Sequence, residues 1–284
     1  MTLQRILVTG GGGRVGRAVV ARLLDAGHPV TTLSLADAVP QQGVRVVRGD
    51  ARDPAIVADA LEDVEAVAHL AAIPTPRGRP APEVFANNVT ATFSVLWTAA
   101  ERGVRRFVIA SSVNAIGLLF HPHRPLPARY PLDETTPADI ADPYSLSKAT
   151  DEATLHAVCR AFGGSGVALR MPLMVAPADA AGLTTWAREH DADGARDGWG
   201  WLDVRDGAEC FQLALDGAYE GVHVLQVAAP TTLQERSTAE LLARYAPGVP
   251  VRGALTGHAA PIDTGRARSV LGFEPRHLVP GEVT

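Results

Sequence analysis

A doubly wound α/β fold with a parallel sheet is the class this sequence predicts, and three observations predict it. Short β-branched runs alternate with helix-length amphipathic segments from Ile6 onward. A glycine-rich turn joins the first such run to the first helical segment. The runs are continuously apolar and short, as strands are when helices cover both faces of a sheet through right-handed crossovers.

The elements follow in order. Ile6–Val8 reads as a strand, Val15–Ala26 as a helix, and Val30–Leu35 and Val44–Val47 as strands. Ile56–Leu61 is helical, Ala66–Leu70 a strand, Val84–Glu101 a helix and Arg106–Ala110 a strand. A Pro- and His-rich loop runs from Leu118 to Pro143, followed by a helix over Tyr144–Phe162 and a strand over Val167–Arg170. The stretch from Pro172 to Trp201 has no clear period, and such an insertion into a wound sheet is expected to form a lobe over the ligand crevice. Val204–Leu215 is a helix and Val222–Val227 a strand, and Ser237-Thr238-Ala239-Glu240 is a capping box that opens a helix toward Tyr245. The expected organisation is a nucleotide-binding domain over residues 1–172, completed by about 202–230. Residues 173–201 and 231–284 are expected to form a small C-terminal substrate lobe.

Composition excludes several classes. The chain has 284 residues, enough for two domains or one large one, and its 46% hydrophobic and 20% charged residues are those of a globular protein. A formal net charge of -5 without long runs of like charge gives no footprint for nucleic acid or an anionic membrane. No apolar stretch reaches the roughly 18 residues of a membrane span, and the N-terminus enters a strand at once, so neither a span nor a leader is expected. Cys159 and Cys210 lie in apolar helical segments and read as reduced, buried thiols of a cytoplasmic protein.

Thr9-Gly10-Gly11-Gly12-Gly13-Arg14-Val15-Gly16 lies between the first strand and the first helix. There Gly10 permits a tight turn, Gly13 lets backbone approach a pyrophosphate, and Gly16 lets helix and strand pack closely, with the helix N-terminus attracting phosphate charge. This is a dinucleotide-binding, Rossmann-type turn. The ribose ligand should follow about 20 residues on. Asp37, at the carboxyl edge of the second strand, selects NAD by repelling a 2′-phosphate; were Ser34 to hold that position, Arg14 would pair with the phosphate and NADP would follow.

Tyr144 and Lys148 stand at i and i+4 on one face of a helix whose start Asp142-Pro143 marks. The spacing carries chemistry because a cation nearby favours phenolate, the form that accepts a hydroxyl proton. Upstream, Phe107–Ala110 runs into Ser111-Ser112, placing two hydroxyls at the carboxyl end of a parallel strand, the edge at which wound sheets bind ligands. Ser112 is placed to hydrogen-bond the reacting oxygen.

These residues resemble an extended short-chain dehydrogenase/reductase, of the NAD-dependent epimerase/dehydratase group. The similarity runs through the Thr9–Gly16 turn, Gly49-Asp50, His69-Leu70-Ala71-Ala72, Asn88-Val89-Thr90, Ala110-Ser111-Ser112, Tyr144–Lys148, Leu169-Arg170, Trp201–Asp206 and Leu271–Pro275. The resemblance implies that Tyr144 is the proton acceptor or donor, that Lys148 holds the nicotinamide ribose, and that Ser112 orients the substrate. It implies further cofactor contacts from Gly10, Gly13, Arg14, Val15, Gly16, Asp50, Ala51, Leu70, Ala71, Ala72, Ala110 and Pro172. The Asn88 side chain would brace the loop beneath the cofactor. Thr75, Ser111, Ser112, Asn114 and Trp186 are expected to line the substrate site, and the helices Val84–Glu101 and Tyr144–Phe162 to pair two subunits as a homodimer.

The stretch between Pro172 and Asp203 is short for a nucleotide-diphosphate pocket and, with Leu183-Thr184-Thr185-Trp186, is similar to the uronate dehydrogenase branch. Two positions depart from that branch. Val113-Asn114 stand where it has Asn-His, and Ala181-Gly182 stand where an Arg would clamp the substrate carboxylate. Neither Ala nor Gly replaces a bidentate Arg. A neutral sugar, lactone or polyol-like substrate is therefore expected as much as a uronate. His121-Pro122-His123 lacks a third ligand nearby, so no metal is expected. Trp186, Trp199 and Trp201 read equally as sugar-stacking or core aromatics. The expected activity is NAD-dependent oxidation of a sugar hydroxyl. A (nucleotide-)sugar epimerase or dehydratase that retains its NAD is the alternative, and a non-catalytic dinucleotide-binding regulator a further one.

Overall fold

Six strands, β1 (Ile6–Thr9), β2 (Val30–Ser34), β3 (Val44–Arg48), β4 (Ala66–His69), β5 (Arg106–Ser112) and β6 (Ser165–Met171), are followed by the short β7 (Leu173–Val175) and β8 (Trp201–Asp203) and by β9 (Val222–Gln226) in a computed structural model that describes residues 3–35 and 42–278. Seven of them form one sheet in the order β3-β2-β1-β4-β5-β6-β9, every pair parallel. β7 and β8 pair in parallel as a separate two-stranded sheet. The doubly wound α/β expectation is met.

Alternation along the strands sends side chains to two cores. Ile6, Val8, Val108 and Leu169 pack with Val19 and Leu23 of α1 (Arg14–Asp25) and with Phe211 and Ala214 of the helix at Val204–Asp216. Leu7, Val67, Phe107 and Ile109 face the other way, onto Val57 of α2 (Pro54–Ala60), Val95 and Leu96 of α3 (Ala81–Glu101) and Leu155 of α4 (Pro143–Phe162). Period-2 side chains from one strand thus fill two layers, which is why the strands read as unbroken apolar runs. Cys159 and Cys210 are buried free thiols, one in each layer. Among the described residues no helix is long and apolar enough to cross a membrane.

The stretch expected to lack a period contains α5 (Ala180–Glu189) and α6 (Asp191–Gly194). Only Ala180 of α5 is fully buried, with Leu183 and Ala187 packed in part against Val175 and Trp201. A helix that buries so narrow a stripe leaves little periodicity in its sequence. The chain continues through α7 (Val204–Asp216), α8 (Thr238–Tyr245), whose capping box forms as expected, and α9 (Gly265–Leu271). A further cluster, with Val113, Ile116, Tyr130, Leu132, Trp199 and Leu241, packs the Pro-rich loop beyond the carboxyl ends of the strands. Backbone bridges Tyr130↔Val251 and Leu132↔Ile262 pin that loop to the C-terminal segment.

Gly16 lies where α1 meets the turn, and a Cβ built there would sit 2.1 Å from the Gly10 carbonyl oxygen. Backbone, not a movable side chain, occupies that space. Gly16→Ala is expected to lower unfolding stability by about 1–3 kcal/mol, the usual cost of overpacking, and urea denaturation of both proteins measures it.

Candidate active site

The strand order reverses between β1 and β4, so their carboxyl ends open the crevice in which wound sheets take ligands. The glycine turn crosses this opening. Gly10 has φ +69°, and a Cβ on it would meet the Ala71 nitrogen at 2.8 Å, so the turn can lie directly on the β4 edge only as glycine. Gly13 is the N-cap of α1 and supplies no side-chain cap, leaving first-turn N–H groups to an external acceptor. The turn is braced from below, because the Gly12 N–H donates to Ser34 Oγ at 3.1 Å. Ser34 is thereby engaged, while Asp37 lies outside the described residues. Arg14 reaches away from the turn to pair with Asp179 at 3.1 Å and to donate to the Met174 carbonyl at 3.4 Å.

Ser112 ends β5, and Tyr144 and Lys148 stand on α4, whose lysine reaches the same strand. Ser112 Oγ accepts the Asn114 N–H at 3.1 Å, which leaves the Ser112 proton to donate elsewhere. Asp142 caps α4, accepting from the Tyr144 and Ser145 N–H groups at 3.0 and 2.9 Å, and Pro143 occupies the first turn. This cap sets the helix phase that presents Tyr144 and Lys148 together. Tyr144 is buried, its ring edge-on to Phe120 with centroids 5.8 Å apart, and Phe120 carries the Arg77 guanidinium 5.7 Å above it. Lys148 is buried and donates to the Ala110 carbonyl at 2.8 Å.

Other expected site residues divide. Asn88 is wholly buried, accepts from the Ile73 N–H at 2.7 Å, and donates to the Ile73 carbonyl and to Ser147 Oγ, locking the loop after β4 onto α4. Asp50 binds Arg52 through both oxygens, and that hydrogen bonding holds its carboxyl below the usual range. Ala51 is buried beside it, and Leu70, Ala71 and Ala72 line the opening half-buried. Pro172 follows β6 directly, and its side chain would lie 3.1 Å from a Cβ built on Gly200. Asn114 is buried beside Ser112 with its Oδ1 unpartnered. Thr75 accepts the Arg77 N–H at 3.2 Å. The Ser111 proton goes instead to Glu152 at 2.5 Å, itself paired with Arg170. Of the tryptophans weighed as sugar-stacking residues, Trp199 and Trp201 are core residues whose indole N–H groups donate to the Asp191 and Thr231 carbonyls. Trp186 is exposed and stacks on His190. Among the described residues no cluster of three or more metal-ligating side chains forms.

Sequence reading missed a buried relay under the turn. Thr9 Oγ1 accepts the Leu70 and Ala71 N–H groups at 3.2 Å each and lies 2.8 Å from His69 Nδ1. His69 Nε2 lies 3.1 Å from Thr92 Oγ1. With the Thr9 proton directed to Nδ1, the neutral imidazole carries its own proton on Nε2. The signal was the polar Thr9 and His69 ending two otherwise apolar strands, and Thr92 on the apolar face of α3.

Residues 6–228 match the model of the NAD dependent epimerase/dehydratase family. The chain is 33% identical over 166 residues to an NAD-dependent glucose-6-phosphate dehydrogenase of Haloferax volcanii, covering 52% of this chain and 60% of the relative. It is 31% identical over 189 residues to a UDP-glucose 4-epimerase of Azospirillum brasilense, covering 63% and 51%. The match thus spans little more than half of these curated relatives. Among solved structures, a short-chain dehydrogenase/reductase superfamily protein from Agrobacterium tumefaciens with bound NAD superposes with a TM-score of 0.72 at 28% identity, covering 96% of this chain and 92% of that one. A UDP-glucose 4-epimerase from Bifidobacterium longum in complex with NAD+ and UDP shares the fold, with a TM-score of 0.71 at 21% identity, covering 96% and 93%.

Burial, helped by the Lys148 charge, pushes His69 down to about 3. An unfolded imidazole titrates near 6.5. The stability supplied by neutral His69 is therefore complete above about pH 6.5 and declines toward about pH 3, by up to about 1.4 kcal/mol per pH unit. Urea unfolding between about pH 7 and about pH 5 should show a shallower loss for His69→Asn than for the parent; equal slopes would refute the buried neutral imidazole.

Proposed function

As the chain belongs to the NAD dependent epimerase/dehydratase family, we propose that it is an NAD-dependent dehydrogenase acting on a secondary hydroxyl of a free sugar or sugar acid. The observation that carries this reading is the buried Ser112, Tyr144 and Lys148 set at the carboxyl end of β5, beside the strand-order reversal. A pure dinucleotide sensor has no use for a positioned acid and base.

The glycine turn fits a dinucleotide on this chain's own geometry, since the space at Gly10 and Gly16 is closed to any Cβ and the first turn of α1 is uncapped. In this reading the Gly10–Gly16 segment holds the pyrophosphate, Asp37 the adenosine ribose, and Asp50 with Ala51 the adenine. Leu70, Ala71, Ala72, Ala110 and Pro172 line the remainder above the loop that Asn88 braces. The engagement of Arg14 with Asp179 supports NAD over NADP, because its guanidinium already has an anionic partner. When bound, NAD supplies the two-electron oxidant. Ser112 donates a hydrogen bond to the reacting oxygen, Tyr144 takes the hydroxyl proton as it leaves, and the Lys148 cation favours the phenolate that accepts it.

Substrate charge and size separate two readings. Arg77 above Phe120 places a cation one ring away from Tyr144, which supports an acidic or phosphorylated sugar despite Ala181-Gly182. Membership of a family that includes epimerases and dehydratases supports the second reading, a nucleotide-sugar epimerase or dehydratase. Residues 173–201 and the chain after residue 230 form, in both readings, the lobe over the substrate. The exposed Phe93 on α3 and Leu146 on α4 support a homodimer through those helices.

A panel of aldoses, uronates, sugar phosphates and nucleotide sugars, followed at the NADH absorbance band, tests the class. Turnover of a free sugar, sugar acid or sugar phosphate is expected. Micromolar binding of a nucleotide sugar without NADH release would establish the second reading instead. Tyr144→Phe should keep NAD affinity and lose about 10²- to 10⁴-fold in turnover, as loss of a general base does. Lys148→Met should weaken NAD binding. Retention of more than about a tenth of the activity by Tyr144→Phe would exclude it as the base.

A further inference from the structure

We propose that Asp151 is the buried counter-ion that positions Lys148 and keeps it charged, and so is a positioning residue for cofactor binding. Its Oδ2 lies 3.3 Å from Lys148 Nζ, and the two side chains are only 3% and 5% exposed. Both stand on the inward face of α4, one turn apart. Lys148 divides its donors between the Ala110 carbonyl and Asp151, and one N–H remains for a ligand.

Among the described residues no other carboxylate pairs with Lys148. Glu152, the next residue, is committed to both nitrogens of the Arg170 fork and to Ser111. The remaining titratable groups around Lys148 are Tyr144 on its own helix and the neutral His69 on β4; α3 contributes the uncharged Asn88 and Thr92. A buried ammonium without a counter-charge gives up its proton readily. Asp151 supplies that charge.

The nearby Thr92 hydroxyl favours the charged form of Asp151. Burial opposes this and raises the Asp151 carboxyl above its ordinary value, while the Lys148 charge offsets it in part. Asp151 Oδ1 has no hydrogen-bond partner, an acceptor that only its pairing with a cation makes tolerable in so buried a place.

The inference rests on the reading of Lys148 as a cofactor ligand, and the test separates the two. NAD affinity is measured by calorimetry between about pH 6 and about pH 9 for the parent, Asp151→Asn, Asp151→Glu and Lys148→Met. Asp151→Asn keeps the shape and removes the charge, so its NAD affinity should fall as pH rises, by up to about tenfold per pH unit once the lysine deprotonates. The parent should stay flat, and Asp151→Glu should restore the flat profile. A pH-independent loss in Asp151→Asn, or none, overturns the counter-ion role. Unchanged NAD affinity in Lys148→Met overturns instead the reading of that lysine as a ligand. Should Asp151→Asn fail to fold, the double variant Lys148→Met/Asp151→Asn decides, because it removes both charges. Its urea midpoint should exceed that of Lys148→Met alone, in which Asp151 is stranded, and a midpoint no higher overturns the proposal.

Discussion

Sealing an ammonium inside a protein is permitted only where its charge is answered at once, and the placement of Lys148 is the constraint that organises this site. Its partners come from separate parts of the chain: a carbonyl at the end of β5 and a carboxylate one turn along α4. The helix must therefore lie close against the end of that strand. The Asp142 cap and Pro143 start α4 in the right phase, and Leu155 and Val158 anchor its far half in the core shared with α3. Residual error in that phase would carry Tyr144 and Lys148 off the crevice together, since both ride on the same turn.

The fold was legible because its signals are local. Apolar runs, the glycine turn, Asp142-Pro143 and the Ser237 capping box each act within a few residues, and each appears where the sequence puts it. α5 was not legible, because a helix on the rim buries too little to impose a period. Tyr144, Lys148 and Ser112 could be found by spacing and strand-end position. The Thr9, His69 and Thr92 relay could not, since its members lie tens of residues apart and become neighbours only when β1, β4 and α3 have assembled; Asp151 stands only three residues from Lys148, but spacing alone does not show that the pair is buried. Trp199 and Trp201 show the converse: an aromatic read from sequence carries no direction, and the carbonyls that receive their indole protons settle them as core.

Stability and binding make different demands on the same glycine turn. Gly16 is required by the fold itself, because Gly10 backbone fills the place of its Cβ; Gly13 meets only that carbonyl, at 3.2 Å, and its other side stays open. That opening lies at the first turn of α1, which no side chain caps.

The two adjacent serines at the end of β5 show how a strand can build structure and site from one dipeptide. Successive strand residues point to opposite faces. Ser111 turns toward α4 and gives its proton to Glu152, which also receives Arg170 from β6, so this hydroxyl closes a structural knot between sheet and helix. Ser112 turns the other way and accepts the Asn114 N–H, a bond that does not use its own proton. Spacing alone assigns both serines to the same strand end; the pleat and the position of Glu152 decide which of them is tied into that knot. A single-residue slip of β5 would exchange the two roles, and the paired register from Arg106↔Ser165 to Ser112↔Met171 holds the strand against that slip.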